Sequence, residues 1–207
     1  MKEQEIRTIT IEGITVESRA ADSGQMEDTI SGYGIVFNSE SRILGGSWYS
    51  FTEVIDARAL DGVDMSEVVA TFNHNFDNIL ARADAKTLKL TIDAKGLKYE
   101  FKAPNTTAGR DLVENIKNGN VKGSSFIFTT EEDRWTYTKD ETEPDKREVL
   151  KVERLIELGP VVMPAYADTT AAKRSFELSL EKREKPEPTT DFERLEKLYK
   201  AHKIKQK

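Results

Sequence analysis

Histidine is the side chain best suited to moving protons near neutral pH, and the 207 residues contain only two of them. His74 follows the apolar run Val-Val-Ala-Thr-Phe, so the pattern predicts a buried strand over residues 66–74 with the imidazole at its end. His202 stands in a lysine-rich stretch, which is typical of a solvated surface residue. A histidine packed at a strand end would give the same pattern, so this residue alone leaves a structural and a catalytic role open.

Two adjacent hydroxyls, those of Ser124 and Ser125, stand in an apolar stretch that predicts a buried strand over residues 124–129. Burying a hydroxyl without a partner costs roughly a few kcal/mol, so both need hydrogen bonds. Either the neighbouring backbone provides them, or one serine is a nucleophile whose proton a histidine accepts. The chain has no cysteine, which excludes a thiol nucleophile, disulfides and thiolate metal sites.

Two carboxylates, Glu153 and Glu157, fall on one face of a strand predicted over residues 148–158. A solvated strand face explains them, and so does a carboxylate that orients and stabilises an imidazolium. Two histidines are too few for a metal site built on several of them. A serine nucleophile activated by a histidine needs neither a metal nor an organic cofactor, and we expect none.

Several elements could position these side chains. Strict alternation on both sides of Ala-Lys-Gly predicts an antiparallel hairpin over residues 87–102. A helix is predicted over residues 108–118, with Thr107 as its cap and Gly119 at its end. The acidic stretch at residues 131–146 predicts an exposed hairpin or loop, and Gly159-Pro160 is expected to end or bend the last strand.

Five short segments stand in order along residues 6–175. They are Gly-Tyr-Gly-Ile-Val-Phe at 32–37, Phe-Thr-Glu-Val-Ile at 51–55, His74 with Arg82 eight residues later, a serine directly before Phe126, and Leu-Ile-Glu-Leu-Gly-Pro-Val-Val-Met-Pro-Ala at 155–165. A short helical stretch is expected at 57–60, after the second segment. In this order, with a helix before the serine strand, they make the chain resemble the prohead maturation proteases of tailed bacteriophages. Those proteases are similar in fold to the herpesvirus assemblin proteases.

The resemblance implies an α+β, mostly β fold, in which an antiparallel β-barrel is surrounded by a few helices. It implies a serine endopeptidase in which Ser125, the serine next to the phenylalanine, is the nucleophile and His74 the base. Glu157 is then the third member, with Glu153 left as an alternative. Gly159 and Pro160 depart from the family, which has a serine and a hydrophobic residue after the carboxylate.

The partners implied by the resemblance are the major capsid protein with its scaffolding segment, and the protease itself through autoprocessing. They meet inside the assembling prohead, in the host cytoplasm. A net charge of -6 argues against nucleic acid, and no apolar run approaches the roughly 20 residues that span a membrane. A homo-oligomer remains open. The rival interpretations are a non-catalytic capsid assembly (scaffold) factor with the same β-domain, and a binding module in which His74 is structural.

The composition changes near the C-terminus and predicts two parts. Residues 1–180 form the protease domain, and residues 181–207 combine a charged, proline-containing linker with a short helix that Thr190 and Glu193 cap. This tail is interpreted as a tether to the assembling shell, a self-cleaved segment or a disordered end.

Overall fold

β-Strands make up most of the computed structural model, which describes residues 4–9, 13–20, 24, 26–46, 49–138 and 143–162. Its elements in chain order are β1 (Glu5–Ile9), β2 (Thr15–Ala20), β3 (Met26–Val36), β4 (Leu44–Gly46), β5 (Tyr49–Ile55), β6 (Val69–Phe72), β7 (Asn75–Arg82), β8 (Leu88–Ile92), β9 (Gly96–Lys102), α1 (Thr107–Lys117), β10 (Gly123–Thr136) and β11 (Asp145–Val161). Within these ranges no helix has the length and apolar character needed to cross a bilayer. The predicted tail, residues 181–207, and His202 with it, lies outside the described residues.

The strands form two sheets. One follows the order β1-β10-β11-β5-β4, with β6 pairing both β11 and β7, and the other follows β2-β3-β9-β8. The mostly β, α+β class expected from the sequence is confirmed. The expected barrel is not found, because a barrel needs its first and last strands to pair, whereas β1 and β4 stand at opposite ends of their path in the described structure.

One apolar core joins both sheets and the helix. Ile30, Leu97 and Phe101 from the second sheet, Phe126 and Leu158 from the first, and the α1 stripe of Leu112, Val113 and Ile116 belong to the same buried cluster. A hydrogen bond of 3.0 Å between the Tyr99 hydroxyl and Ser124 Oγ also links the two sheets. The strand that carries the two serines is therefore packed on one side against the core.

Most predicted elements are present, with shifted ends. The hairpin at residues 87–102 is confirmed as β8 and β9, and the acidic stretch forms the paired ends of β10 and β11. The cap of α1 is Thr106, whose side chain accepts from the Gly109 N–H, so the prediction of Thr107 is wrong by one residue. The helix does end before Gly119, whose φ of 71° suits glycine.

Three other predictions fail for physical reasons. The strand predicted to run to His74 ends at Phe72, because Asn73 and His74 both have positive φ and turn the chain into β7. Hydrogen-bonded turns, each closed by an i to i+3 bond, occupy residues 56–63, where a short helical stretch was expected. The last strand was expected to end or bend at Gly159-Pro160, but it continues through both residues to Val161.

Candidate active site

His74 stands in a tight turn that the end of β11 holds in place. The two-residue loop Asn73-His74 joins β6 to β7, and both residues have the positive φ that a type I′ hairpin turn requires, 55° and 58°. The Asn73 N–H donates to the Pro160 carbonyl at 3.1 Å, and Asn73 Oδ1 accepts from the Val162 N–H at 2.8 Å. These two bonds fix the imidazole relative to β11.

Three side chains, from the β6–β7 turn, β10 and β11, meet in a hydrogen-bonded row. His74 Nε2 lies 2.6 Å from Ser125 Oγ, and His74 Nδ1 lies 2.7 Å from Glu157 Oε2. Ser125 is fully buried and Glu157 is 1% exposed, whereas the His74 side chain is 19% exposed. The contact between His74 and Ser125 that the sequence predicts is present, at a distance suited to proton transfer.

Glu157 is the carboxylate that reaches the histidine, and Glu153 is not. Glu153 lies on the exposed side of β11 and accepts from Thr129 Oγ1 at 3.1 Å. Shifts of register between β10 and β11 separate the two glutamates, so they do not share the face that simple alternation predicts. The remaining oxygen of Glu157, Oε1, accepts from the Thr71 hydroxyl at 2.7 Å.

Gly159 departs from the pattern expected from the resemblance, and the packing of β6 against β11 explains why glycine stands there. A Cβ at this position would lie 2.1 Å from the Thr71 carbonyl oxygen of β6. Only glycine allows the backbone of β6 to come this close to β11, and β6 carries both Thr71 and the turn with His74. The glycine thus permits the contact between Glu157 and His74.

The two adjacent serines face opposite ways, as neighbouring strand residues do. Ser124 bonds to the buried Tyr99 hydroxyl on the core side of β10. Ser125 Oγ faces His74, accepts from Thr8 Oγ1 at 3.0 Å and lies 2.7 Å from the Arg7 carbonyl oxygen. Thr8 and Arg7 belong to β1, which pairs antiparallel with β10 directly over the serine.

A buried ion cluster, made of Glu5, Arg7, Glu53 and Arg147, anchors β1. Arg7 holds Glu53 with two bonds, Nε to Oε1 at 2.6 Å and Nη2 to Oε2 at 2.9 Å, and it also reaches Glu5 at 2.7 Å. Arg147, from β11, bonds to both glutamates. Burial by itself would raise the pKa of Glu5, but the charges of Arg147 and Arg7 outweigh it and lower that pKa to about 2.

Sequence reasoning missed Thr71 and the whole buried ion cluster. A signal was present for each: Thr71 is polar inside the run Val-Val-Ala-Thr-Phe, and Glu53 is charged inside Phe-Thr-Glu-Val-Ile. A polar group inside a buried strand needs a partner, but the pattern cannot say which distant residue provides it. Arg82, by contrast, stays at the surface in an ion pair with Asp84.

Among known proteins, the search of curated sequences finds no match. A solved structure, the bacteriophage T4 capsid assembly protease, is similar in fold, with a TM-score of 0.51 and 11% identity over 78% of this chain and 98% of that chain. The model of the caudovirus prohead serine proteases matches residues 14–183, which include His74, Ser125 and Glu157. That match spans most of the sequence, and the chain therefore belongs to the caudovirus prohead serine protease family.

Proposed function

We propose that this chain is a serine endopeptidase that cleaves the capsid protein and its scaffolding segment during prohead maturation. The observation that carries the proposal is the row Ser125, His74 and Glu157, with its contacts of 2.6 and 2.7 Å. Membership of a serine protease family supplies the reaction class. Membership of this family also suggests that the protease cleaves itself, and that it acts in the interior of the assembling prohead.

Each member of the row has a separate task. The Ser125 hydroxyl attacks the peptide carbonyl while His74 Nε2 accepts its proton, and the imidazolium then returns that proton to the leaving amine. The Glu157 carboxylate accepts from Nδ1–H, which holds the imidazole in the tautomer whose Nε2 can act as base. Thr71 keeps the carboxylate in place through its bond to Oε1.

The test is a pair of variants at the two adjacent serines, each co-expressed with the major capsid protein. Ser125→Ala should abolish processing, whereas Ser124→Ala should retain much of it, because Ser124 faces Tyr99 and not His74. Intact mass measurement of the capsid protein reads the cleavage, and a melting curve shows that each variant is folded. Full processing in Ser125→Ala would instead favour a non-catalytic scaffold role or another nucleophile.

A further inference from the structure

Exposed apolar side chains are concentrated around the turn that carries His74. In the part of the chain that the structure describes, the exposed large apolar side chains are Met26, Ile43, Phe76, Ile79, Ile92 and Val162. We call three of them the apolar rim: Phe76 (49% exposed), Ile79 (45%) and Val162 (47%). Apolar residues that stand singly at a surface are ordinary, whereas a group of them beside one site is typical of a binding surface.

Two members of the rim adjoin the turn itself. Phe76 follows His74 by two residues, at the start of β7. The Val162 N–H donates to Asn73 Oδ1 at 2.8 Å, so the residue that follows β11 lies against the same turn. Apolar side chains therefore come to the turn from two parts of the chain that are far apart in sequence.

The third member, Ile79, points to the face of the sheet that carries Glu157. Ile79 is the Cα partner of Thr71 across β7 and β6, and directly paired residues point to one face of a sheet. Thr71 uses that face for its bond of 2.7 Å to Glu157. The rim thus extends along β7 on the side of the hydrogen-bonded row.

His74 is the member of the row that reaches the surface. Its side chain is partly exposed, whereas Ser125 and Glu157 are buried. The exposed part of the imidazole belongs to the turn that the rim adjoins. A peptide that contacts the exposed imidazole is therefore brought against the rim as well.

The chemistry of the leaving group indicates which part of a substrate comes to this place. In the proposed mechanism His74 Nε2 returns its proton to the leaving amine, which needs the two nitrogens within about 2.6–3.2 Å of each other. That amine belongs to the first residue after the bond that is cut, and its Cα is one covalent bond, about 1.46 Å, from the nitrogen. The side chain of this residue therefore starts beside the imidazole.

We propose that the apolar rim binds the side chain of the first residue after the scissile bond, and that this side chain is large and apolar. The inference rests on the proposed function and adds the substrate class to it. A polar side chain placed on the rim would lose its water contacts without gaining hydrogen bonds, which weakens binding. Asp77, the exposed residue next to Phe76, repels an acidic side chain in particular.

The first test locates the cut. The full chain is co-expressed with the major capsid protein, and the intact masses of the fragments identify the residue that follows the cut. We expect a large apolar residue there. Replacing it in the capsid protein by asparagine, which is close to leucine in shape but polar, should slow processing about ten-fold. A small or charged residue after the cut, or an unchanged rate with asparagine, would overturn the inference.

The second test changes the rim and measures a ratio, the rate with the apolar capsid protein divided by the rate with its asparagine variant. Phe76→Ala should lower this ratio several-fold, because the side chain that covers the apolar residue is removed. Met26→Ala, at an exposed apolar position on β3 in the other sheet, is the matched control and should keep the ratio. A loss of folded protein affects both rates equally and cancels, so an unchanged ratio in Phe76→Ala would count against the rim.

A third test gives the rim a new preference. Phe76→Asp places a second carboxylate beside Asp77 at an exposed position, where a charge keeps its water. We expect this variant to process a capsid protein with lysine after the cut about three-fold faster, relative to the asparagine variant, than the unmodified chain does, as for an exposed ion pair. The same relative rate in both proteins would show that the residue after the cut does not lie at Phe76.

These outcomes separate the inference from the proposed function. Cleavage of the capsid protein with ratios that neither variant at Phe76 changes would overturn the inference alone, because the serine protease activity would remain. No cleavage of the capsid protein by the unmodified chain would overturn the proposed function, and the inference with it.

Discussion

Glu157 is a buried carboxylate with a partner on each oxygen, Thr71 on one and His74 on the other. These two bonds hold the Glu157 side chain in one orientation, and the carboxylate in turn fixes the orientation of the imidazole ring. In the proposed mechanism the charge of Glu157 matters as well as its shape, because the imidazolium formed on His74 has Glu157 as its neighbouring anion.

The charge can be removed while the shape is kept. Glu157→Gln should slow capsid cleavage by up to about 10⁴-fold, as the corresponding amide does in the best-characterised triad, since an amide can hold the wrong tautomer. Glu153→Gln is the matched control on the same strand and should leave the rate unchanged, because Glu153 is exposed and points elsewhere. The rates are compared by capsid processing at equal amounts of folded protein. A normal rate in Glu157→Gln would remove the carboxylate from the mechanism.

At the scale of residues, the pairing of His74 with Ser125 could be predicted through the resemblance to the prohead proteases, whereas the residues alone left a structural role open for each. The left-handed backbone of His74 could not be predicted, since the apolar run before it continues the strand pattern. The need for Gly159 was equally hidden, because its cause is the Thr71 carbonyl of another strand. Each miss came from a contact between segments far apart in the chain.

At the scale of elements, sequence patterns predicted the strands and the helix whose formation depends on neighbouring residues. Alternation gave the β8–β9 hairpin, and the apolar stripe gave α1. The continuation of β11 past Pro160 was missed, because proline usually ends pairing. Here the Pro160 carbonyl accepts from the Asn73 N–H. The N–H that proline lacks is not required on the side of β11 that faces β6, because β6 pairs with β11 only as far as Leu158.

The start of α1 gives a prediction at this scale. Thr106→Ala should lower the free energy of unfolding by about 1 kcal/mol, because it removes the acceptor for the Gly109 N–H. That loss corresponds to about 2–4 °C in the melting temperature of a domain this size. Thr107→Ala, one residue later, is exposed and should change the melting temperature far less. Equal losses in the two variants would mean that the cap is wrongly assigned.

At the scale of the whole molecule, the buried ion cluster joins three distant parts of the chain: β1, β5 and β11. Its glutamate on β1, Glu5, has a folded pKa of about 2, below its ordinary value of 4.5. A carboxylate whose pKa is lowered by folding stabilises the folded state above its unfolded pKa. That contribution is lost as the pH falls from about 4.5 towards 2.

Acid should therefore lower the stability of the folded protein by protonating Glu5 in this cluster. We expect the melting temperature to fall between about pH 5 and pH 2, and to fall less steeply in Glu5→Gln, which has no charge there to lose. Glu17→Gln, at an exposed position on β2, is the control and should keep the full pH dependence. Identical slopes in Glu5→Gln and the unmodified protein would contradict the role given to the cluster.

The pairing of β1 with β10 also sets the order in which the molecule can be completed. Arg7 and Ser125 are 118 positions apart, so β1 is synthesised more than a hundred residues before the strand with which it pairs. Contacts this distant form late, because the loop between them must be ordered first. His74 lies 51 positions from Ser125 and 83 from Glu157, so by the same reasoning these two contacts form before β1 pairs with β10. The pairing of β1 is therefore expected to be the last of the three steps.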